Sequence, residues 1–398
     1  MLIAVLILAL MMTGIGWYLS RDLFSPYVAV PGIWVVAILI LYLLPNNFYP
    51  VRNEFPYVLA IWLSGFFFAS IACEYYTPCA SVVAKMRQPN RNILYVYTVI
   101  TCISMPIICG AIVKQAFLED PENMFRYMRM MSTGQDENIE MPNLGILLYF
   151  VSLAFVMLFY SLLYFKNKKL KLIIIVLNLM LATVTMAKTT FLSIMFSSLY
   201  LCFQQKIIKM RHLVYGLLAF IGLSFILQSV RAAGEDVEST SFLALYLSSS
   251  IVAFDYYAVP CSSPMFGMYT FRIVYAIGHA FGITEPPTDT ILEFVFVPEI
   301  TNTYTNMYPF YKDFGFLGVF IFSIIYGLFY GFLYKKSRTG GKLELVLYAI
   351  FLTFVLMEFI GEFIFTNLST SIQYIFFAVL PFLFKNNERK SHDSKRLK

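Results

Sequence analysis

Charge is scarce in this sequence. Only 13% of its 398 residues are Asp, Glu, Lys or Arg, against about 25% in a soluble domain. Histidine and tryptophan number three each. No HExxH, phosphate-binding glycine loop, GxGxxG or GxSxG occurs, so none of the chemistries that those patterns carry is indicated. The six cysteines (Cys73, Cys79, Cys102, Cys109, Cys202 and Cys261) show no metal-ligand spacing, and four fall in or beside apolar runs. That argues against a disulfide framework and against a zinc site. No metal or cofactor is expected.

Apolar residues are abundant. They make up 59% of the chain, and the mean hydropathy is +0.72. The class is therefore an all-α polytopic membrane protein. Tyrosine and phenylalanine, at 28 and 40 copies, suit bilayer interfaces and helix packing. The N-terminal stretch MLIAVLILALMMTGIGWYLS lacks a basic n-region and a small-x-small cleavage site, so it reads as an uncleaved first span.

A helix crosses about 30 Å of hydrocarbon in about 20 residues. On that basis eleven spans are predicted, at 2–19, 28–45, 57–73, 94–113, 145–165, 172–187, 189–203, 214–230, 314–334, 343–359 and 372–384. With the tail 385–398 in the cytoplasm, alternation puts 21 of the 29 basic residues inside. This is a strong positive-inside bias. The net charge of +6 thus reports membrane orientation, and no nucleic-acid partner is expected. The remaining cations are Arg52, Lys114, Arg126, Arg129, Lys188, Arg231, Arg272 and Lys312. Two long segments, 114–144 and 231–313, fall on the outer face, and connections of such length are usually functional. No internal repeat is visible, which weighs against a secondary transporter.

The first outer segment predicts a surface helix. Asp120 is placed to cap it, with Pro121 at its first position and Gly134 past its end. Phe125, Met128 and Met131 form an apolar side, and Arg126 and Arg129 share a face. Interfacial anchoring and binding of an anionic headgroup both account for those arginines. In the second segment, SFLALYLSSSIVAFDYYAVP carries Asp255 and reads as a surface or re-entrant helix. His279 reads as a packing or hydrogen-bonding residue, and EPPTDTILEFVFVPEI as a turn with a short β-rich run. Arg231 and Arg272 sit among nine acids on this segment. Pairing with those acids accounts for them, and so does binding of phosphate, which suits the planar donor fork of arginine. Lys188, at the tip of a short hinge, either snorkels to the interface or faces the same cavity, and Glu358 and Glu362 are candidate partners for these cations.

The order of these features, closing in NTYTNMYPFYKDFGFLG, resembles the N-x-Y-T…Y-x-D-F-G-x-x-G signature of Wzy-type oligosaccharide repeat-unit polymerases, the O-antigen polymerases of the bacterial inner membrane. Asn302, Tyr304, Thr305, Tyr311, Asp313, Phe314, Gly315 and Gly318 fit it. SRDLFSPYV near the N-terminus is similar to the opening of that family. Lys188 after Ala187 departs from it, where such proteins often carry an arginine beside a glycine.

The resemblance implies a glycosyltransferase fold with a periplasmic active face. Its substrate is an undecaprenyl-diphosphate-linked oligosaccharide held among membrane lipids, and a chain-length regulator is an implied partner. The growing glycan passes from its lipid diphosphate to a sugar hydroxyl of a new repeat unit. Physical reasoning fits that chemistry. Two unit charges about 4 Å apart interact by about 4 kcal/mol at an effective dielectric near 20, so clustered cations stabilise the leaving diphosphate. Arg126, Arg129, Lys188, Arg231 and Arg272 are the candidate diphosphate contacts, and Tyr304, Tyr308 and Tyr311 the candidate sugar-stacking faces. Asp313 and Asp255 are the first candidates for the base, with Glu293 and Glu299 behind them. For Asp313, capping of the helix that follows is an equal reading. Two other functions are compatible: the related O-antigen ligase, and a lipid-linked-oligosaccharide flippase or other transporter.

Overall fold

The computed structural model describes residues 1–82, 87–133, 139, 141–186, 188–207, 209, 215, 222, 240–289 and 291–384. The side chains of Thr133, Lys188 and Phe242 are outside that description. So are the predicted span 214–230, apart from residues 215 and 222, as well as Arg231 and the C-terminal tail.

The described chain is almost wholly helical. In order it forms α1 (Leu2–Ser20), α2 (Pro26–Leu43), α3 (Glu54–Tyr76), α4 (Arg91–Glu119) and α5 (Met124–Thr133). A 3-10 turn at Gly145–Leu148 then leads into α6 (Tyr149–Tyr164), followed by α7 (Lys168–Val184) and α8 (Lys188–Gln204). The C-terminal part holds α9 (Phe242–Tyr257), α10 (Arg272–Ala280), the two-residue strands β1 (Val295–Phe296) and β2 (Ile300–Thr301), α11 (Tyr308–Arg338), α12 (Lys342–Leu356) and α13 (Leu368–Leu383). Six of the described helical segments are long and apolar enough to cross a membrane. Ten of the eleven predicted spans coincide with helices.

Local chemistry sets the helix starts. The Asn90 side chain accepts the N–H groups of Asn92 and Ile93, and Asn167 does the same for Lys169 and Leu170. Each satisfies donors that the first helical turn leaves free, a device that contributes about 1 kcal/mol. Pro26 opens α2, where its missing N–H costs nothing.

The central pair is α3 against α11. Ser323, Gly327 and Gly331 recur at four-residue spacing on α11. They meet Gly65, Phe66 and Ser70 of α3. A Cβ on Gly327 would stand 2.6 Å from the Phe66 carbonyl oxygen, and one on Gly331 2.5 Å from that of Ser70. Only small residues let the two backbones approach so closely, as in membrane helix packing generally.

The two ends of the bundle differ in composition. At one end Tyr334 and Arg338 reach the Asp22 carboxylate, and the Tyr348 hydroxyl donates to the Phe24 carbonyl. That is the end where Lys335, Lys336 and Arg338 close α11. At the opposite end the loops 44–53, 240–307 and 357–367 interlock. Ser241 N–H donates to the Pro45 carbonyl, Asn306 N–H to that of Glu358, and Arg272 to that of Thr366.

Helix α9 lies across that second end. Ser241 at its start meets Pro45, Ser248 bonds the Ala37 carbonyl, and Asp255 at its far end meets residues 52 and 55. Its face from Ser248 to Asp255 is buried. The short β-rich run appears as an antiparallel hairpin that pairs Val295 with Thr301.

Candidate functional site

The stretch 301–320 supplies the centre of the site, through a break in α11. Gly315 has φ 62° and ψ −148°, a conformation essentially confined to glycine, and it separates Tyr308–Phe314 from the long membrane-crossing part. The break removes the partners that the carbonyls of Tyr311 and Lys312 would find four residues on. The loop before α10 replaces them: Cys261 N–H donates to the Tyr311 carbonyl, and Ser262 and Ser263 donate to that of Lys312. The Asp313 carboxylate accepts the N–H groups of Tyr269 and Thr270 at 3.3 and 2.7 Å.

Asp313 thus turns away from the helix that begins after Gly315 and does not cap it, because its carboxylate bonds the loop before α10 instead. Both its oxygens are held by backbone amides, which fixes the loop 261–271. Asp255 is in the same position. It is 5% exposed and accepts the N–H groups of Arg52 and Phe55, one on each oxygen, capping α3 from another helix.

Lys312 stands beside this clasp. Its ammonium is 3.0 Å from the Tyr308 hydroxyl and 4.4 Å from the centre of the Tyr269 ring. It is half-buried and pairs with no carboxylate among the described residues. Behind it the Tyr304 and Tyr308 rings pack 4.4 Å apart, and the Tyr304 hydroxyl donates to the Glu293 carbonyl. Burial, with Tyr308 and Glu293 close by, raises the Tyr304 phenol above its usual pKa, so it remains a neutral hydrogen-bonding group.

The tyrosines do not form a stacking rim. Tyr304, Tyr308 and Tyr311 are 3%, 6% and 0% exposed. Their rings pack on one another, on Phe254 and on Tyr269, and the Tyr311 hydroxyl donates to the Glu54 carboxylate. The physical reason is the upstream start of α11, which makes Tyr308 and Tyr311 part of a buried helix, with Tyr304 packed on Tyr308. Of the three, Tyr308 contacts Lys312 directly.

Arg272 is three residues beyond Tyr269. Its Nε donates to the Thr288 carbonyl at 2.6 Å and its Nη1 to the Thr366 carbonyl at 3.0 Å. Burial lowers its pKa and nearby Asp289 opposes that shift, so a guanidinium stays charged there. Glu362 organises the facing loop, accepting the Tyr326 hydroxyl and the N–H groups of Ile364, Phe365 and Thr366.

The other expected site residues lie elsewhere or outside the description. Helix α5 starts at Met124, later than predicted, after a turn in which Asp120 accepts the Asn123 N–H. Met128 and Met131 are buried against Met105 and Ile108, whereas Phe125 and Arg126 are exposed. The helix that carries exposed Arg126 and half-buried Arg129 thus packs on a second apolar cluster, apart from the one that holds Tyr304, Tyr308 and Tyr311. Arg231 and the Lys188 side chain are outside the described residues. Glu358 accepts the Trp34 and Trp62 indoles and Glu362 the Tyr326 hydroxyl, and the Lys188 side chain and Arg231, two of the cations expected to pair with them, lie outside the described residues. His279 is exposed, and its Nδ1 lies 3.2 Å from the Thr284 carbonyl oxygen, a hydrogen-bonding contact.

Lys312 is the residue that the sequence left unassigned. Its signal was a cation on an otherwise acidic outer segment, flanked by Tyr308 and Tyr311. Comparison with known protein families, curated proteins and solved structures found no match for this chain.

Proposed function

We propose that this protein is an O-antigen polymerase. It joins undecaprenyl-diphosphate-linked repeat units at the periplasmic face of the bacterial inner membrane. The observation that carries the reading is Lys312. It is a half-buried cation, fixed by Tyr269 and Tyr308, with no described carboxylate to neutralise it. Holding a cation so, at the end of the bundle away from the basic loops, suits an anionic group delivered at headgroup depth. Arg272, on the same loop as Tyr269, adds a second charge and a donor fork.

In the reaction the bond between the donor sugar's anomeric carbon and the diphosphate oxygen breaks. A bond forms from that carbon to the acceptor hydroxyl oxygen. The electron pair leaves with the diphosphate, whose charge Lys312 and Arg272 stabilise. The acceptor proton needs a base. Asp313 and Asp255 each have both oxygens engaged by backbone amides. Glu293 is exposed beside Tyr304 and takes over that role in this reading.

The test is purified protein with a synthetic lipid-diphosphate repeat unit, scored for polymer. Wild type should yield a ladder of products. Lys312→Met and Arg272→Ala should lose it at normal protein levels. Full ladders from both variants would overturn the assignment. Transfer of finished glycan to a lipid A core, without repeat-unit joining, would identify a ligase, and movement of labelled donor without a new bond a flippase.

A further inference from the structure

A second polar cluster lies deep in the same end of the bundle and plays no part in the chemistry above. Glu358 is 1% exposed. Its Oε2 accepts both indole N–H groups, from Trp34 at 3.1 Å and Trp62 at 3.0 Å. Its Oε1 has no hydrogen-bond partner among the described residues. The backbone N–H of Asn306 donates to the Glu358 carbonyl at 2.8 Å, so these two side chains start from adjoining backbones. Asn306 is 2% exposed, and neither its Oδ1 nor its Nδ2 has a partner among the described residues. Thr305, next to it in the chain, is 0% exposed, and its hydroxyl is also unpartnered among the described residues.

Buried polar atoms are nearly always bonded, and each exception calls for a cause. The contrast with Glu362 is instructive. Four residues away, that carboxylate has both oxygens satisfied, by Tyr326 and by three backbone amides. At Glu358 the two indoles load one oxygen only. Burial disfavours the ionised carboxylate and the two indole N–H donors on Oε2 partly offset that, so ionisation at this depth demands a counter-charge. No described basic side chain supplies one.

We propose that Glu358, Asn306 and Thr305 bind a monovalent alkali cation. The donor set is hard oxygen: a carboxylate Oε1, an amide Oδ1 and a hydroxyl Oγ1, the type that suits weakly polarisable cations. A single carboxylate balances a single positive charge, which selects a monovalent ion over Mg²⁺ or Ca²⁺. The bound ion would tie the loop after α12 to the segment that enters α11. Since Thr305 and Asn306 immediately precede the helix that carries Lys312, the ion would hold the base of the catalytic segment. This inference stands independently of the polymerase reading.

Tryptophan emission reads the site directly, because Trp34 and Trp62 are two of the three tryptophans in the chain and both bond Glu358. The full chain in detergent is titrated with NaCl or KCl against choline chloride at constant ionic strength. The expected result is a saturable emission change with an alkali cation and none with choline. Glu358→Gln should abolish it. Asn306→Ala should raise the half-saturation concentration by about tenfold, the loss of one good ligand. If Glu358→Gln does not fold, Asn306→Ala and Thr305→Val carry the test. Identical emission in all three salts overturns the proposal. A saturable response with unchanged half-saturation in Asn306→Ala and Thr305→Val places the ion elsewhere and also overturns it. An emission change that follows pH alone would mean that a proton on Glu358 takes the cation's place.

Discussion

The Asp313 carboxylate accepts the Thr270 backbone N–H at 2.7 Å, and its second oxygen takes that of Tyr269. Through this one side chain the broken start of α11 holds the loop that leads to Arg272. Asp313→Asn keeps one acceptor oxygen and should cost about 1–2 kcal/mol, whereas Asp313→Ala strands both amides and should cost about 2–4 kcal/mol. Thermal unfolding of the purified variants reads this order. Polymer formation per folded molecule should stay within a few-fold of wild type in Asp313→Asn. A loss of about 10²–10⁴-fold there, the range for a missing general base, would return the catalytic role to Asp313.

Glu293 carries the opposite expectation. It is exposed, next to the Tyr304 hydroxyl that its own carbonyl anchors. Glu293→Gln removes the proton acceptor and leaves the shape and that carbonyl in place. Turnover should fall by about 10²–10⁴-fold with little change in melting temperature or in binding of the lipid-linked donor. Unchanged turnover would remove Glu293 from the mechanism.

Gly315 is where the site is made. Its φ of 62° and ψ of −148° belong to a region that other residues enter at a cost of about 1–3 kcal/mol. An added Cβ would also press to 3.1 Å from the Cys261 sulfur. Gly315→Ala should therefore lower the unfolding free energy by about that amount. It should also reduce polymer formation, because straightening the helix returns the Tyr311 and Lys312 carbonyls to it and releases Cys261, Ser262 and Ser263. An unaltered melting temperature would show that the break tolerates a side chain.

Much of the architecture was legible from hydropathy, and the site much less so. Apolar runs of span length coincide with ten helices among the described residues. The entry to α11 was misread because Tyr308–Phe314 has too many polar groups to look like part of a span, yet it is helical and buried. Its tyrosines therefore changed from surface faces to packing. Asp255 and Asp313 looked like free carboxylates because the amides they serve are 200 and 44 residues away in sequence. No local pattern reveals such a long-range cap. Lys312 was visible only as a cation out of place, and its importance came from the rings folded around it.

The small-residue seam between α3 and α11 gives the last prediction. Ser323, Gly327 and Gly331 are spaced by four, which puts them on one face of the helix. Gly331→Leu must push the helices apart, since even a Cβ there stands 2.5 Å from the Ser70 carbonyl oxygen and 3.0 Å from the Cys73 Cβ. Neither neighbour is the far end of a flexible side chain, so relief requires backbone movement. Overpacking of this kind costs about 1–3 kcal/mol or more. Folded yield on size-exclusion chromatography should drop sharply. Gly14→Leu is the matched control. It adds the same side chain to α1 at an exposed position where a Cβ meets nothing within 4 Å, and its yield should equal wild type. Equal yields from both variants would mean that the seam does not hold the bundle together. Loss in Gly331→Leu alone would show that the close approach of α3 and α11 supports the platform on which Lys312 and Asp313 sit.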